Sequence, residues 1–419
     1  MIRRSGRRDA RPLAVAGAVA VLAAVAGVGT GGTGGSGAAA THPLPPVKVA
    51  QTSGGMVHPL ELAVNALDVN GMPLVTTSGP TGYAPAQVRS YLSLTGTGTG
   101  QTIAIVTAYH DPNIAADLAT FDTTFGLAAP ASFKVVSQTG STTSYPVVDA
   151  GWALETSLDV QWAHAIAPGA GILLVEATTS SFTNMDTAIA YAANQTAVTV
   201  ISNSWGSAEF NGETTIDSYC KLSGKLCVFS SGDSGNPATY PAFSPYVLAV
   251  GGTTLQLSST GAVLGETAWS GSGGGVSLYE AKPSYQTTGN TTTKRGVADV
   301  SYDADPATGF SVYDSVVYQG QSGWYQMGGT SAGAPQWSAV VAVADQLRKA
   351  AGKTVLSAYA SNIFQAHKAI YGATTGLFDI TSGTNGTCGT ICTAAAGYDF
   401  VTGRGSPRPG IDISLKNAT

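Results

Sequence analysis

The chain has 419 residues, of which 43% are hydrophobic and only 11% charged, and it contains 53 glycines. That hydrophobic share supports one large or two ordinary folded domains and excludes a disordered chain, while glycine, Ser and Thr runs call for many loops. A net charge of −5 without a basic stripe argues against a nucleic-acid partner.

The N-terminus reads as an export signal. Arg3, Arg4, Arg7, Arg8 and Arg11 form a basic head, residues 13–28 are an uncharged Ala/Val-rich run, and "SGAAATHP" offers small residues for cleavage near Ala40. The alternative, a membrane anchor, needs about 20 apolar residues, and this run is shorter and diluted by Ala and Gly. The Arg pairs also suggest twin-arginine export. Residues 1–40 are therefore expected to be removed, leaving a secreted, extracellular protein. Residues 41–80 are punctuated by Pro and Gly without sustained periodicity, and are expected to form a short, poorly structured pre-region.

Farther along, the pattern becomes alternating. A β-branched apolar run over 101–109 predicts a strand, and "NIAADLATFDTTFG" a helix. A helix opens at Trp152, followed by a strand over 171–177, a helix over 184–194 and a strand over 197–206. A helix over 213–223 is expected next, then strands at 226–235 and 246–252, and a long helix from Ser331. Such alternation predicts an α/β domain, about residues 81–415, with a mostly parallel central sheet and helices on both faces. Sites in such sheets gather at the carboxyl ends of the strands.

Four cysteines fall into two local pairs, Cys220/Cys227 and Cys388/Cys392. With an export signal, two short-loop disulfides are the natural reading, and a four-cysteine zinc site is the competitor.

Two places carry chemistry. In "WALETSLDVQWAHAIAPGAG" a helical stripe reads Trp152, Glu155, Asp159, Trp162, Ile166, so two carboxyls one turn apart are bracketed by indoles. Such a pair shares a proton if it is buried, or is an ordinary solvated acidic face if it is not. In "MGGTSAGAPQW", Ser331 stands between a glycine-rich loop and a helix start, where it is either a simple N-cap or a nucleophile beside oriented backbone N–H groups. The string "GTSAGAP" resembles the nucleophile segment of subtilisin-like serine peptidases. None of the five histidines (His42, His58, His110, His164, His367) sits in the Asp-then-HGT context those enzymes use, so the serine needs another base.

Taken with the Glu-x-x-x-Asp helix, the chain resembles the sedolisin family, serine-carboxyl peptidases that keep a subtilisin-like fold and replace the histidine with glutamate. The resemblance covers nearly all of residues 81–415. It implies Ser331 as nucleophile, Glu155 as general base, Asp159 as its partner and Asp233, in "FSSGDSG", as a protonated donor in the oxyanion hole. It further implies Ca2+, held by the carboxylates of Asp379 and Asp399 and the main-chain oxygens of Ile380, Ala395 and Gly397; on residue chemistry alone these Asp are equally turn formers. "AWSGSGGGVS" (268–277) resembles the glycine-rich edge strand along which these enzymes pair with peptide, and Trp205 either shapes the cleft or packs beneath it.

Two departures are visible. Sedolisins usually carry a large folded prodomain, whereas here only 41–80 lie between the signal and the domain. Some relatives extend the acid network to a glutamate just after the first strand, where this chain has "TAYHDPN". The expectation is a secreted, monomeric, acid-acting endopeptidase on protein or peptide substrates. A tripeptidyl-peptidase, a silent binding protein on the same scaffold, and an esterase (for which the G-x-S-x-G elbow is missing) are the rivals.

Overall fold

From residue 102 onward, strands whose side chains are apolar on both faces alternate with helices, which forces a sheet covered on each side. The computed structural model describes residues 55–59, 62–63 and 79–419, so the signal read over 1–40 lies outside the described residues. Two short strands, β1 (His58–Pro59) and β2 (Leu62–Ala63), precede helix α1 (Pro85–Leu92). There follow β3 (Thr102–Ala108), α2 (Ile114–Phe125), β4 (Phe133–Ser137), α3 (Ala150–Ile166), β5 (Gly171–Ala177), α4 (Phe182–Asn194), β6 (Val198–Asn203) and β7 (Trp205–Gly206). Next come β8 (Leu226–Ser230), β9 (Val247–Leu257) and β10 (Val263–Ala268). There follow β11 (Gly275–Ala281), β12 (Lys294–Val297), β13 (Val300–Asp303), β14 (Phe310–Tyr318), β15 (Gln321–Gly328) and the long α5 (Thr330–Ala350), and then α6 (Gln365–Tyr371), β16 (Leu377–Phe378), β17 (Ser406–Pro407) and α7 (Ile411–Asn417).

Eight strands form the central sheet in the order β10-β9-β8-β6-β3-β5-β4, with β13 beside β9. The pairings are parallel except for β10, which returns antiparallel along β9. Side chains alternate between the faces as a pleat requires. Ile103 and Ile105 of β3 join the apolar cluster that holds α3 and α5, while Ala104, Val106 and Ala108 join the cluster that holds α4. In β8, Leu226 and Val228 take the first face and Cys227 and Phe229 the second. Chain order reverses across β3, whose neighbours are β5 on one side and β6 on the other, so the carboxyl ends around it are the favoured place for a site.

Several expectations are corrected. The helix expected over 213–223 is only two 3-10 turns, Glu213–Thr215 and Asp217–Cys220. Thr214, Thr215 and Ile216 are β-branched, and the Cys220–Cys227 disulfide ties the segment to β8 before a longer helix can form. Residues 268–277 are not one strand: β10 stops at Ala268 and β11 starts at Gly275. β11 then pairs with β12, outside the central sheet. The described part of the pre-region is not irregular either, because β1 pairs with β7 and β2 with β15. Cys388–Cys392 forms the second disulfide, which removes the zinc alternative. Among the described residues no helix is long and apolar enough to cross a membrane.

Candidate active site

Helix α3 is buried on every side, from Trp152 to Ile166. Asp149 caps its first turn by accepting from Trp152 N at 3.0 Å. Glu155 and Asp159 are therefore not a solvated face: both have zero exposure. α5 lies against this helix and starts at the glycine loop. Gly329, at its N-cap, has φ +92, a left-handed backbone that suits glycine and aims the next residues inward.

Ser331 Oγ donates to Glu155 Oε2 at 3.0 Å, with both side chains fully buried. Asp159 Oδ1 accepts from Ser204 Oγ at 2.6 Å. Ser204 lies one residue past the carboxyl end of β6, and its Oγ also stands 3.3 Å from the carbonyl of Ser331. The reason that carbonyl is available is local: Pro335, four residues on, has no N–H to offer it. Ser204 is not singled out in the sequence analysis. Its only signal was a hydroxyl just past a predicted strand end.

Asp233 follows the carboxyl end of β8. Its Oδ1 accepts both the N–H and the hydroxyl of Thr330, each at 2.7 Å. Its Oδ2 is buried without a hydrogen-bond partner among the described residues. Burial is the main cause that pushes this carboxyl up to about 7, against the two Thr330 bonds that lower it. The Asp233 loop is held by the glycine run at 271–275. Gly273 N donates to Gly232 O at 2.6 Å, and a Cβ on Gly273 would lie 2.2 Å from Ser231 O, so only glycine fits that approach. Thus "GSGGG" braces the loop that carries Asp233 more than it offers an edge. Trp205 resolves into both of its readings: its indole is fully buried, donating to Val106 O at 3.1 Å, while its backbone edges the site in β7.

Past β3, His110 Nδ1 lies 2.7 Å from Glu176 Oε2, and Glu176 Oε1 accepts from Asp111 N at 3.1 Å. Burial lifts Glu176 to about 8 and Asp111 to about 7, and lowers His110. The structure thus gives His110 a buried acid of its own.

The calcium candidates converge on one loop. Asp379 Oδ2 accepts from Gly397 N at 2.7 Å, and Asp399 Oδ2 from Ala395 N at 3.2 Å. The carbonyl oxygens of Ile380, Ala395 and Gly397 accept no hydrogen bond among the described residues. Two carboxylates and three uncommitted carbonyls are a hard-oxygen set of the kind calcium takes. No group of three or more His, Cys, Asp or Glu side chains gathers for a metal among the described residues, so backbone oxygens have to supply much of the shell.

A family profile described as the subtilase family matches residues 149–381. Kumamolisin of Bacillus sp. (strain MN-32) is 32% identical over 372 residues, covering 79% of this chain and 63% of that protein. Sedolisin of Pseudomonas sp. (strain 101) is 30% identical over 359 residues, covering 77% of this chain and 58% of that protein. The chain therefore spans about three fifths of the length of these two relatives. A solved structure of Pseudomonas sedolisin, a serine-carboxyl proteinase in complex with two molecules of pseudo-iodotyrostatin, superposes with a TM-score of 0.67 at 29% identity. It covers 81% of this chain and 98% of that one.

Proposed function

Since the chain belongs to the subtilase family, in its sedolisin branch, we propose that it is a secreted serine-carboxyl endopeptidase cutting extended polypeptide at acidic pH. The observation that carries this reading is the buried contact between Ser331 Oγ and Glu155 Oε2. A hydroxyl donating to a carboxylate inside an apolar helix pair is an activated nucleophile with its base. A silent binding protein has no need of it.

Ser331 Oγ attacks the peptide carbonyl carbon while its proton passes to Glu155. Collapse of the tetrahedral intermediate breaks the C–N bond, and Glu155 returns that proton to the leaving amine. Water, deprotonated by the same carboxylate, then opens the ester and restores the serine. Asp159, held by Ser204, steadies the proton on the acid pair. Asp233 serves the oxyanion from Oδ2, because Oδ1 is committed to Thr330. It does so only while protonated: below about 7 it donates, and above that its charge repels the oxyanion.

Endopeptidase action is favoured over removal of tripeptides because two main-chain edges near the nucleophile accept extended backbone, β7 just past Ser204 and β15 ending three residues before Ser331. Secretion accords with two disulfides, which persist in oxidising compartments. The calcium ion would be held by Asp379, Ile380, Ala395, Gly397 and Asp399, where it would fix the 379–399 loop. A chelator is then expected to lower the melting temperature of the wild-type protein and to leave that of Asp379→Asn unchanged.

The test of function is hydrolysis of denatured casein across the acidic to neutral range. Activity should be confined to acid, absent in Ser331→Ala, and reduced by about 10²–10⁴ in Glu155→Gln. Undiminished cleavage by Glu155→Gln would remove Glu155 from the mechanism.

A further inference from the structure

Among the described residues Asp233 makes no main-chain hydrogen bond of its own, and its side chain bonds only Thr330. The direction of its other oxygen is therefore set by the residues on either side of it. Before it, Ser231 Oγ donates to Gly273 O at 2.7 Å, and Gly232 O accepts from Gly273 N. After it, Gly235 N donates to Gly271 O at 2.9 Å and Asn236 Nδ2 to Gly274 O at 2.8 Å. The loop thus hangs from residues 271–274, and the glycines of that run carry no side chains with which to hold their own backbone.

A hairpin from the C-terminal part of the chain supplies the hold. Thr384 bridges Thr393 antiparallel, Asn385 N donates to Cys392 O at 3.0 Å, and the Cys388–Cys392 disulfide closes the tip. Asn385 is buried. Its Nδ2 donates to Ser272 O at 2.8 Å, between the two glycines that bond the Asp233 loop, and its own O accepts from Asn236 N at 3.0 Å. Gly235 has no room for a Cβ against Asn385 O, so the hairpin and the Asp233 loop are in direct contact. Ser272 is also tied by its hydroxyl to Val401 O at 2.9 Å. Removing the Asn385 amide therefore frees the Ser272 carbonyl without unseating the residue.

We propose that Asn385 is a positioning residue for the oxyanion acid: it fixes the main chain at Ser272 and at Asn236, and so sets the direction in which Asp233 Oδ2 points. This rests on the reading of Asp233 as an oxyanion donor given above. An oxyanion donor acts in the transition state, so its misplacement falls on kcat and spares KM.

The test measures kcat and KM of the full chain on an internally quenched peptide, for wild type, Asp233→Ala, Asn385→Ala and the double variant. Asn385→Ala should lose about 10–10² in kcat with KM unchanged. On the Asp233→Ala background the same substitution should change kcat by no more than about twofold, because the group it positions is gone. Asn385→Asp is nearly isosteric. Its neutral carboxyl can donate to Ser272 O, whereas the carboxylate offers that carbonyl only lone pairs. It should recover most of the wild-type kcat at about pH 4 and fall away from it as pH rises toward about 7. An equal loss on both backgrounds overturns the proposal, and so does a loss confined to KM, which would make Asn385 a brace for substrate alone. If Asn385→Ala does not fold, Asn385→Asp decides, and a kcat ratio to wild type that is constant with pH overturns the proposal. Full kcat in Asp233→Ala removes the Asp233 reading and the proposal with it. A loss in Asp233→Ala beside an undiminished Asn385→Ala removes the proposal alone.

Discussion

A carboxyl group that must act as a hydrogen-bond donor depends on being neutral, and Asp233 is arranged for that. Burial raises it to about 7, its Oδ1 is fixed by Thr330, and its Oδ2 is the oxygen left to carry the proton. The sign of the pH effect follows: the donor is present in acid and lost as pH rises through about 7. In Asp233→Asn the amide nitrogen replaces the protonated oxygen and does not titrate. The alkaline fall in kcat is therefore expected to move upward or to vanish. Asp233→Ala should lose about 10²–10³ in kcat at every pH, the usual cost of one oxyanion donor. A pH profile of Asp233→Asn superimposable on the wild type would remove Asp233 from the acid limb.

At the scale of elements, the site depends on how α3 and α5 are clamped to the strands around them. Trp162 of α3 donates to Ser311 O of β14 at 2.9 Å, and Trp337 of α5 to Ser301 O of β13 at 3.0 Å, with both indoles fully buried. These bonds fix the rotation of each helix, and so the direction in which Glu155 and Ser331 point. Trp162→Phe keeps most of the ring packing against Phe310 and Phe121 but leaves a buried carbonyl unpaired. It is expected to cost about 1–3 kcal/mol, read as a lower denaturant midpoint with an unchanged slope. Pro335 shows the same economy: a residue that interrupts the helix ladder frees the one carbonyl that Ser204 contacts.

At the scale of the whole molecule, a set of buried carboxyls among the described residues shifts one way. Burial raises Asp186 to about 7, Glu213 to about 9, Glu280 to about 8 and Asp345 to about 7, in addition to Asp111, Glu176 and Asp233. Each is raised above its unfolded value, so each contributes stability that is complete below about 4 and is lost as pH rises through 7–9. Folded protein holds protons that the unfolded chain releases. The melting temperature should therefore be higher at about pH 4 than at about pH 8, the reverse of a protein built on surface ion pairs. With only 11% charged residues, few native ion pairs exist to be broken by acid. A melting temperature that rises toward pH 8 would contradict this account of the buried acids.

The sequence by itself determined five strands of the sheet, β3, β5, β6, β8 and β9, and the helices α2 to α5 between and after them, because two-faced apolar runs and helical spacing are written in local order. Residue spacing also put Glu155 and Asp159 on one helical face, and the glycine-then-small string marked Ser331 as a helix start in an open-backbone loop. Three things were decided only in three dimensions. Burial of the acid pair needed α5 and β14 to close over α3, since the same i, i+4 spacing equally suits a wet surface. Ser204 is forty-five residues from Asp159 and its role exists only as a contact across the fold. The residues at 58–59 and 62–63 have no periodicity to announce strands, and they pair only because β7 and β15 offer them main-chain edges. Local chemistry is legible in a sequence because it acts over a few residues; desolvation and edge pairing are properties of what the fold brings near, and no stretch of chain carries them alone.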